Sequence, residues 1–273
     1  ADIANVCNEA ALIAARKSKK AVQKQDFLDA IDRIVGGLEK KNKIISPDEK
    51  RTIAFHEGGH ATVSWLLEHA NPMVKVTIIP RGKSLGAAWY LPEERQITTR
   101  EQLLDEMCAT LGGRASEQTI FKKISTGAVN DLEKVTKQAY AMVIYFGLSD
   151  KVGNISFYDS TGQSEYSFHK PYSEKTSEMI DHEVKEIVTQ QYERALRILE
   201  EHKEGLTKLS EQLLEKEVIF AEDLEKIFGK RKGDKTPDVG KKQKKSRKTA
   251  KSLKAKSETG NTNDKAESIK KSA

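Results

Sequence analysis

Two histidines four residues apart bracket an acid and two glycines in the run His56-Glu57-Gly58-Gly59-His60. On a helix, residues four apart sit one turn above each other on one face, so both imidazoles can reach a single metal ion. Glu57 falls about 100° further round, beside such an ion rather than on it. From there a carboxylate can take a proton from water and hand it to a leaving amine. His-Glu-x-x-His is a spacing that zinc-dependent peptide hydrolysis uses for this reason. Ile53, Val63 and Leu67 lie within about 60° of the histidine face, so the imidazoles should aim at protein and not at water. The plainer alternative is a pair of histidines capping a core helix. The helix start described below and the apolar flank both favour the ligand reading.

A catalytic zinc ion needs a third protein ligand and one open position. The extended pattern HExxHxxGxxH is absent, because Val63 and Leu66 stand where its glycine and third histidine would be. The third ligand must come from a distant segment. Among the acids Asp131 stands out: it shares a helical stripe with Val135, Ala139 and Met142, which turns its carboxylate inward, where an unpaired charge is costly. An aspartate in a first helical turn also interacts favourably with the helix dipole, and spacing alone leaves both readings open.

The elements that must carry these residues are mainly helical. Ser46-Pro47-Asp48-Glu49 is a strong start signal, with Ser46 as cap, Pro47 at the first helical position and Glu49 closing a capping box. The helix it opens should run to about His69. Upstream, residues 2–16 place Ile3, Val6, Cys7, Ala10, Ile13 and Ala14 on one face. A shorter helix is expected to start at Asp26 and stop at Gly36-Gly37. Two short strands are expected at 74–79 and 87–91, joined through Pro80-Arg81-Gly82 and ended by Pro92. Residues 99–121 return to helical period, another helix runs from about Asn130 to Gly147, and 150–173 reads as irregular. From 174 to 228 the pattern is helical throughout. The fold class expected is a helical zinc peptidase domain with a small two- or three-stranded β element.

With Ser125-Thr126-Gly127-Ala128-Val129-Asn130-Asp131 in view, the chain resembles the peptidase part of the FtsH family, the membrane-bound AAA+ zinc proteases of bacteria, mitochondria and chloroplasts. The likeness covers about residues 1–228. It includes positions 56–60, Val76-Thr77-Ile78-Ile79-Pro80-Arg81-Gly82, and Gly112-Gly113-Arg114 with Glu117. The resemblance implies zinc held by His56, His60 and Asp131, with Glu57 as catalytic base. It also implies Glu117 as an acid behind a zinc-binding histidine, against the alternative of a solvent-facing glutamate at a helix end. Gly112-Gly113 in mid-helix suggests close backbone approach there, with the active-site helix as the candidate neighbour. Where the family usually has alanine this chain has Gly58, which weakens the helix by about 1 kcal/mol but removes no ligand.

The domain reading is then the end of an AAA+ lid subdomain over 1–40, the zinc peptidase over 41–228 and a basic tail over 229–273. The tail holds fourteen Lys and two Arg against five acids, about +11. Taking that from the whole chain's +6 leaves residues 1–228 near −5, so the pI of 9.0 belongs to the tail. Rich in lysine and without Phe, Tyr or Trp, the tail is expected to be disordered. Cys7 and Cys108 form no metal-binding or disulfide pattern and suit a reducing compartment. No apolar run nears the roughly 20 residues of a membrane span. The chain opens at Ala1 inside a helical pattern without Met, which reads as a piece of something longer.

Gly82-Lys83-Ser84 imitates the end of a P-loop, but Thr77 stands at the required first glycine and no helix follows. ATP hydrolysis is therefore expected only in a part of the protein not contained here. The resemblance further implies a homohexamer anchored in a bacterial inner membrane with this domain on the cytoplasmic side, or in an organellar inner membrane facing the matrix. Its substrates would be unfolded or membrane proteins. No specific nucleic acid is expected. The alternatives are an inactive interaction or oligomerisation domain, or a nucleic-acid or membrane-surface binder working through the basic tail.

Overall fold

Ser46 opens the helix that matters most, as its sequence requires. Its hydroxyl accepts from Glu49 N (3.3 Å) while the Glu49 carboxylate accepts from Ser46 N (3.1 Å), a reciprocal cap worth about 1 kcal/mol. The computed structural model describes residues 2–40, 45–82, 84–91, 96–157 and 171–233. Within it, helices α1 (Asp2–Arg16) and α2 (Lys24–Gly36) precede α3 (Pro47–Leu66), which carries both histidines. Strands β1 (Met73–Thr77) and β2 (Ala87–Tyr90) follow, then α4 (Arg100–Phe121), a 3₁₀ turn (Thr126–Ala128) and α5 (Val129–Tyr140). A π-helical turn at Ala141–Tyr145 ends that run, and α6 (Glu174–Glu201), α7 (Lys203–Lys216), β3 (Val218–Phe220) and α8 (Ala221–Phe228) complete the order.

Helix α3 is a central rod covered on most sides from Ala54 onward. One flank, with Ala54, Ala61 and Trp65, packs on Val76, Ile219 and Leu213. Another, with Phe55, Val63 and Leu67, meets α4 and the α6–α7 corner through Cys108, Ala195 and Leu206. A third cluster of Met107, Leu111, Val135, Met142 and Ile180 ties α5 to α4 and α6. Thus α5, remote in sequence, is held against the same scaffold as α3.

The β element is a three-stranded antiparallel sheet in the order β2-β1-β3, with β2 on one edge. Residues 174–228 are therefore not helical throughout, as their sequence suggested. Glu217 adopts a left-handed conformation (φ 60°) that stops α7, and Val218-Ile219-Phe220, two β-branched residues and an aromatic, pair with β1. Helix α3 also ends three residues short of His69, with Leu67 already extended.

At the amino-terminal end α1 and α2 form their own small core of Ala10, Ile13 and Ala30. Two expectations fail there. Ile3 is 81% exposed and Cys7 is also exposed, because the small core reaches only the later turns of α1. Asp26 is not the cap of α2 but its third residue. Its carboxylate accepts from the backbone of the capping Gln23 (2.9 Å) and from Lys19 (2.7 Å). The segment after α2 then pairs with the β1–β2 connection, through Lys40 N to Pro80 O (2.9 Å) and Gly82 N to Leu38 O (3.2 Å). At the other end residues 229–233, assigned above to the tail, pack back on the domain: Trp65 Nε1 donates to Gly229 O (3.0 Å) and Arg231 is buried. Residues 234–273 lie outside the described residues.

Candidate metal centre

The two imidazoles and a carboxylate from α5 meet in one small triangle. His56 Nε2 lies 3.2 Å from His60 Nε2, and Asp131 Oδ2 lies 3.3 Å from the former and 3.4 Å from the latter. The capped start of α3 and its eleven buried residues fix the histidines. Asp131 sits in the first turn of α5, after the 3₁₀ turn that Ser125 caps by accepting from Gly127 N (3.1 Å).

The far ring nitrogens settle where the protons are. His56 Nδ1 faces Glu117 Oε1 at 2.7 Å and His60 Nδ1 faces Ala109 O at 3.0 Å. Both partners only accept, so both Nδ1 atoms carry hydrogen and donate. In the neutral tautomers the two Nε2 lone pairs and an ionised carboxylate oxygen then point at one another. Such a cluster is satisfied by a cation at its centre. Four-coordinate zinc with bonds near 2.0–2.1 Å sets its donors about 3.3 Å apart, which is the spacing observed. Gly113 of α4 supplies the floor: a Cβ there would lie 2.5 Å from both Nε2 atoms, so the space exists because the side chain does not. The three residues fit a zinc ion.

Electrostatics agrees. Burial opposes a charge on His56, but Asp131 and Glu117 outweigh it and raise its pKa to about 10. Burial likewise opposes ionisation of Asp131, and the two histidines hold its carboxyl well below the usual range all the same. The site draws positive charge. Glu117, only 2% exposed, is itself held by Ser125, whose backbone N (2.6 Å) and hydroxyl (3.0 Å) both donate to it. Glu57 is buried beside the triangle and points into the cleft, and burial raises its pKa.

The cleft holds about 720 Å³ and is lined by the triangle, Glu57, Glu117 and Lys134, with the edge strand β2 on one side. Every site residue expected from the sequence lies in it. Three were missed as part of the site's architecture: Ser125 as the anchor of Glu117, Ser116, whose hydroxyl donates to Phe55 O (2.6 Å), and Gly86 against Glu57. Gly58 faces Ser210 of α7, so the glycine that departs from the expected alanine lies in a tight helix contact.

A helix-borne histidine pair completed by a distant carboxylate, with a buried glutamate alongside, defines a zinc metallopeptidase. The family model of peptidase family M41 matches residues 43–227, and that of the AAA+ lid domain matches residues 1–29. The chain belongs to peptidase family M41. It is 71% identical over 231 residues to the ATP-dependent zinc metalloprotease FtsH of Parabacteroides distasonis, covering 85% of this chain and 34% of that protein. Its identity to the FtsH of Karelsulcia muelleri is 57% over 228 residues, 84% of this chain and 37% of the relative. To the mitochondrial inner membrane m-AAA protease component AFG3L2 of Mus musculus it is 52% over 231 residues, 85% and 29% of the two chains. The chain therefore spans about a third of the length of the curated relatives it matches.

Proposed function

We propose that this chain is the proteolytic part of an ATP-dependent, membrane-anchored zinc protease that cuts unfolded and membrane proteins. The observation that carries the reading is the triangle of two imidazole nitrogens and one carboxylate oxygen with Glu57 beside it. His56, His60 and Asp131 hold the zinc ion, and Glu117 orients His56. When bound, the ion supplies Lewis acidity, polarising the scissile carbonyl and acidifying water. Glu57 accepts a proton from the attacking water as its oxygen bonds to the carbonyl carbon. It returns that proton to the amide nitrogen as the C–N bond breaks, leaving a carboxylic acid and an amine. A carboxylate whose pKa burial has raised is suited to both halves of that exchange. The peptide lies along the free edge of β2, where main-chain pairing holds it and leaves side-chain choice loose.

Residues 1–40 are read as the end of the ATPase lid, 41–228 as the peptidase and the remainder as a basic tail. The ATP dependence stated in the relatives' names is assigned to a part of the whole protein outside these 273 residues, since they contain no Walker A sequence. No helix among the described residues is long and apolar enough to cross a membrane, so anchoring is assigned to that other part as well. A homohexamer at a bacterial inner membrane, with this domain on the cytoplasmic side, completes the reading. The intact donor set speaks against an inactive interaction domain. Glu57→Gln should keep stoichiometric zinc and lose nearly all cleavage of an unfolded protein substrate. Loss of zinc in that variant would make Glu57 a ligand and sink the assigned role.

A further inference from the structure

We infer that Gly86 is a positioning residue for Glu57: its missing side chain is the space in which the base carboxylate is held. The inference rests on the reading of Glu57 as the catalytic base. Gly86 is buried immediately before β2. A Cβ built on it would lie 2.7 Å from Glu57 Cγ and 2.8 Å from Glu57 Oε1. On its other side the same Cβ would lie 2.9 Å from the carbonyl oxygen of Thr77. No ordinary side chain fits between those two walls. Gly86 is not among the residues with positive φ, so backbone conformation does not demand glycine here and close approach does.

The two walls differ in stiffness. Thr77 pairs with Ala87 on one side and Val218 on the other, and its hydroxyl donates to Glu217 O (3.1 Å). Gly86 O in turn accepts from the Ser84 hydroxyl. Glu57 is the end of a side chain with three rotatable bonds. A methyl group at position 86 therefore displaces the carboxylate and leaves the strand. The atoms such a methyl meets first belong to Glu57 and Thr77 and not to His56, His60 or Asp131, so Glu57 is the site residue it displaces directly. Glu57 is thus aimed from two sides, by the helix that carries it and by the strand that makes room for it.

The test is a double-mutant cycle with a readout that does not depend on turnover. A peptide hydroxamate binds zinc and shares a hydrogen bond with the base, so its affinity reports where the Glu57 carboxylate lies. In the zinc-loaded chain, Gly86→Ala should weaken the hydroxamate by about 10-fold, and in the Glu57→Ala background the same change should cost less than about twofold. Turnover of an unfolded substrate should fall by about 100-fold with KM nearly unchanged. Zinc content should stay stoichiometric. Equal losses of hydroxamate affinity in both backgrounds, or an equal fall in Tm, would show that the glycine serves the strand and overturn the proposal. Unchanged affinity and turnover in Gly86→Ala would overturn it too. Full cleavage by Glu57→Gln would instead sink the base assignment, a separate outcome.

Discussion

Gly59 and Gly112 touch through their backbones where α3 crosses α4. A Cβ on Gly59 would lie 2.3 Å from the Gly112 carbonyl oxygen, and one on Gly112 would lie 2.7 Å from that of Gly59. This crossing brings Gly113 beneath the two histidines and Glu117 to His56. Because the obstructing atoms are the Gly112 backbone and the Cβ of Ser116, none of which a rotamer change can move, Gly59→Ala should destabilise the metal-free chain at or above the top of the roughly 1–3 kcal/mol usual for overpacking. Urea unfolding without metal measures it. A change within about 0.5 kcal/mol would mean the helices part at no cost.

Gly113→Ala should behave differently. Its Cβ would meet side-chain nitrogens 2.5 Å away instead of backbone. In the metal-free chain the rings can shift, and alanine favours the helix by about 1 kcal/mol, so stability should hold. Zinc binding should be lost, since methyl and ion compete for one space. Chelator competition and a metal-free melt on the same protein test both halves. Parental zinc affinity would remove Gly113 from the floor of the site.

Much of the site was legible because its chemistry is local or capped. The histidine spacing, the Ser46 cap and the glycine pair in α4 all carry their geometry in a few adjacent residues. Asp131 lies seventy-one positions beyond His60, so a helical stripe could turn it inward without saying toward what. β3 was hidden because three residues between two helices give too short a run for period-2 alternation. Gly86 was hidden because a contact between a glycine and the base twenty-nine positions earlier leaves no periodic trace. The exposed first turns of α1 show the converse: amphipathic spacing names a face, not the surface that covers it.

Gly58 should prove a packing residue and not a flaw. A Cβ there would lie 2.5 Å from Ser210 Oγ and 3.5 Å from a Leu206 methyl. Ser210 Oγ is buried and has no hydrogen-bond partner among the described residues, so removing it sacrifices no bond seen there. Gly58→Ala alone should leave stability near or slightly below the parent. Gly58→Ala with Ser210→Ala should gain about 1 kcal/mol from helix propensity. Additive effects in thermal unfolding would show that the two positions do not meet.

The two thiols should separate cleanly. Cys7 is exposed, whereas Cys108 is fully buried and burial pushes its pKa up to about 12. At pH 8 its thiolate fraction is then about 1 in 10,000, before access is considered. A thiol reagent should label one cysteine at once and the second only at the rate of unfolding. Fast labelling of both in native buffer would contradict the packing of α4.

Asp131 and Glu117 are the acids whose roles the geometry separates most sharply. Asp131 Oδ2 faces both Nε2 atoms, while Glu117 meets the histidine pair only at the far nitrogen of His56. Asp131→Asn replaces a charged donor by a neutral amide oxygen at the metal and should weaken zinc by more than 100-fold, beyond the range of supporting residues. Glu117→Gln keeps a hydrogen-bond acceptor for His56 Nδ1 but removes the charge behind it, and should weaken zinc by about 10–100-fold. The same change should disturb the Ser125 turn, because Glu117 accepts from both its backbone and its hydroxyl. Ser125→Ala removes one of those two bonds and should cost less than Glu117→Gln. Chelator competition on the parent and the three variants gives the order Asp131→Asn, Glu117→Gln, Ser125→Ala from weakest to tightest. If Asp131→Asn holds zinc like the parent while Glu117→Gln loses it, the third ligand is Glu117, and Asp131 only steadies the first turn of α5.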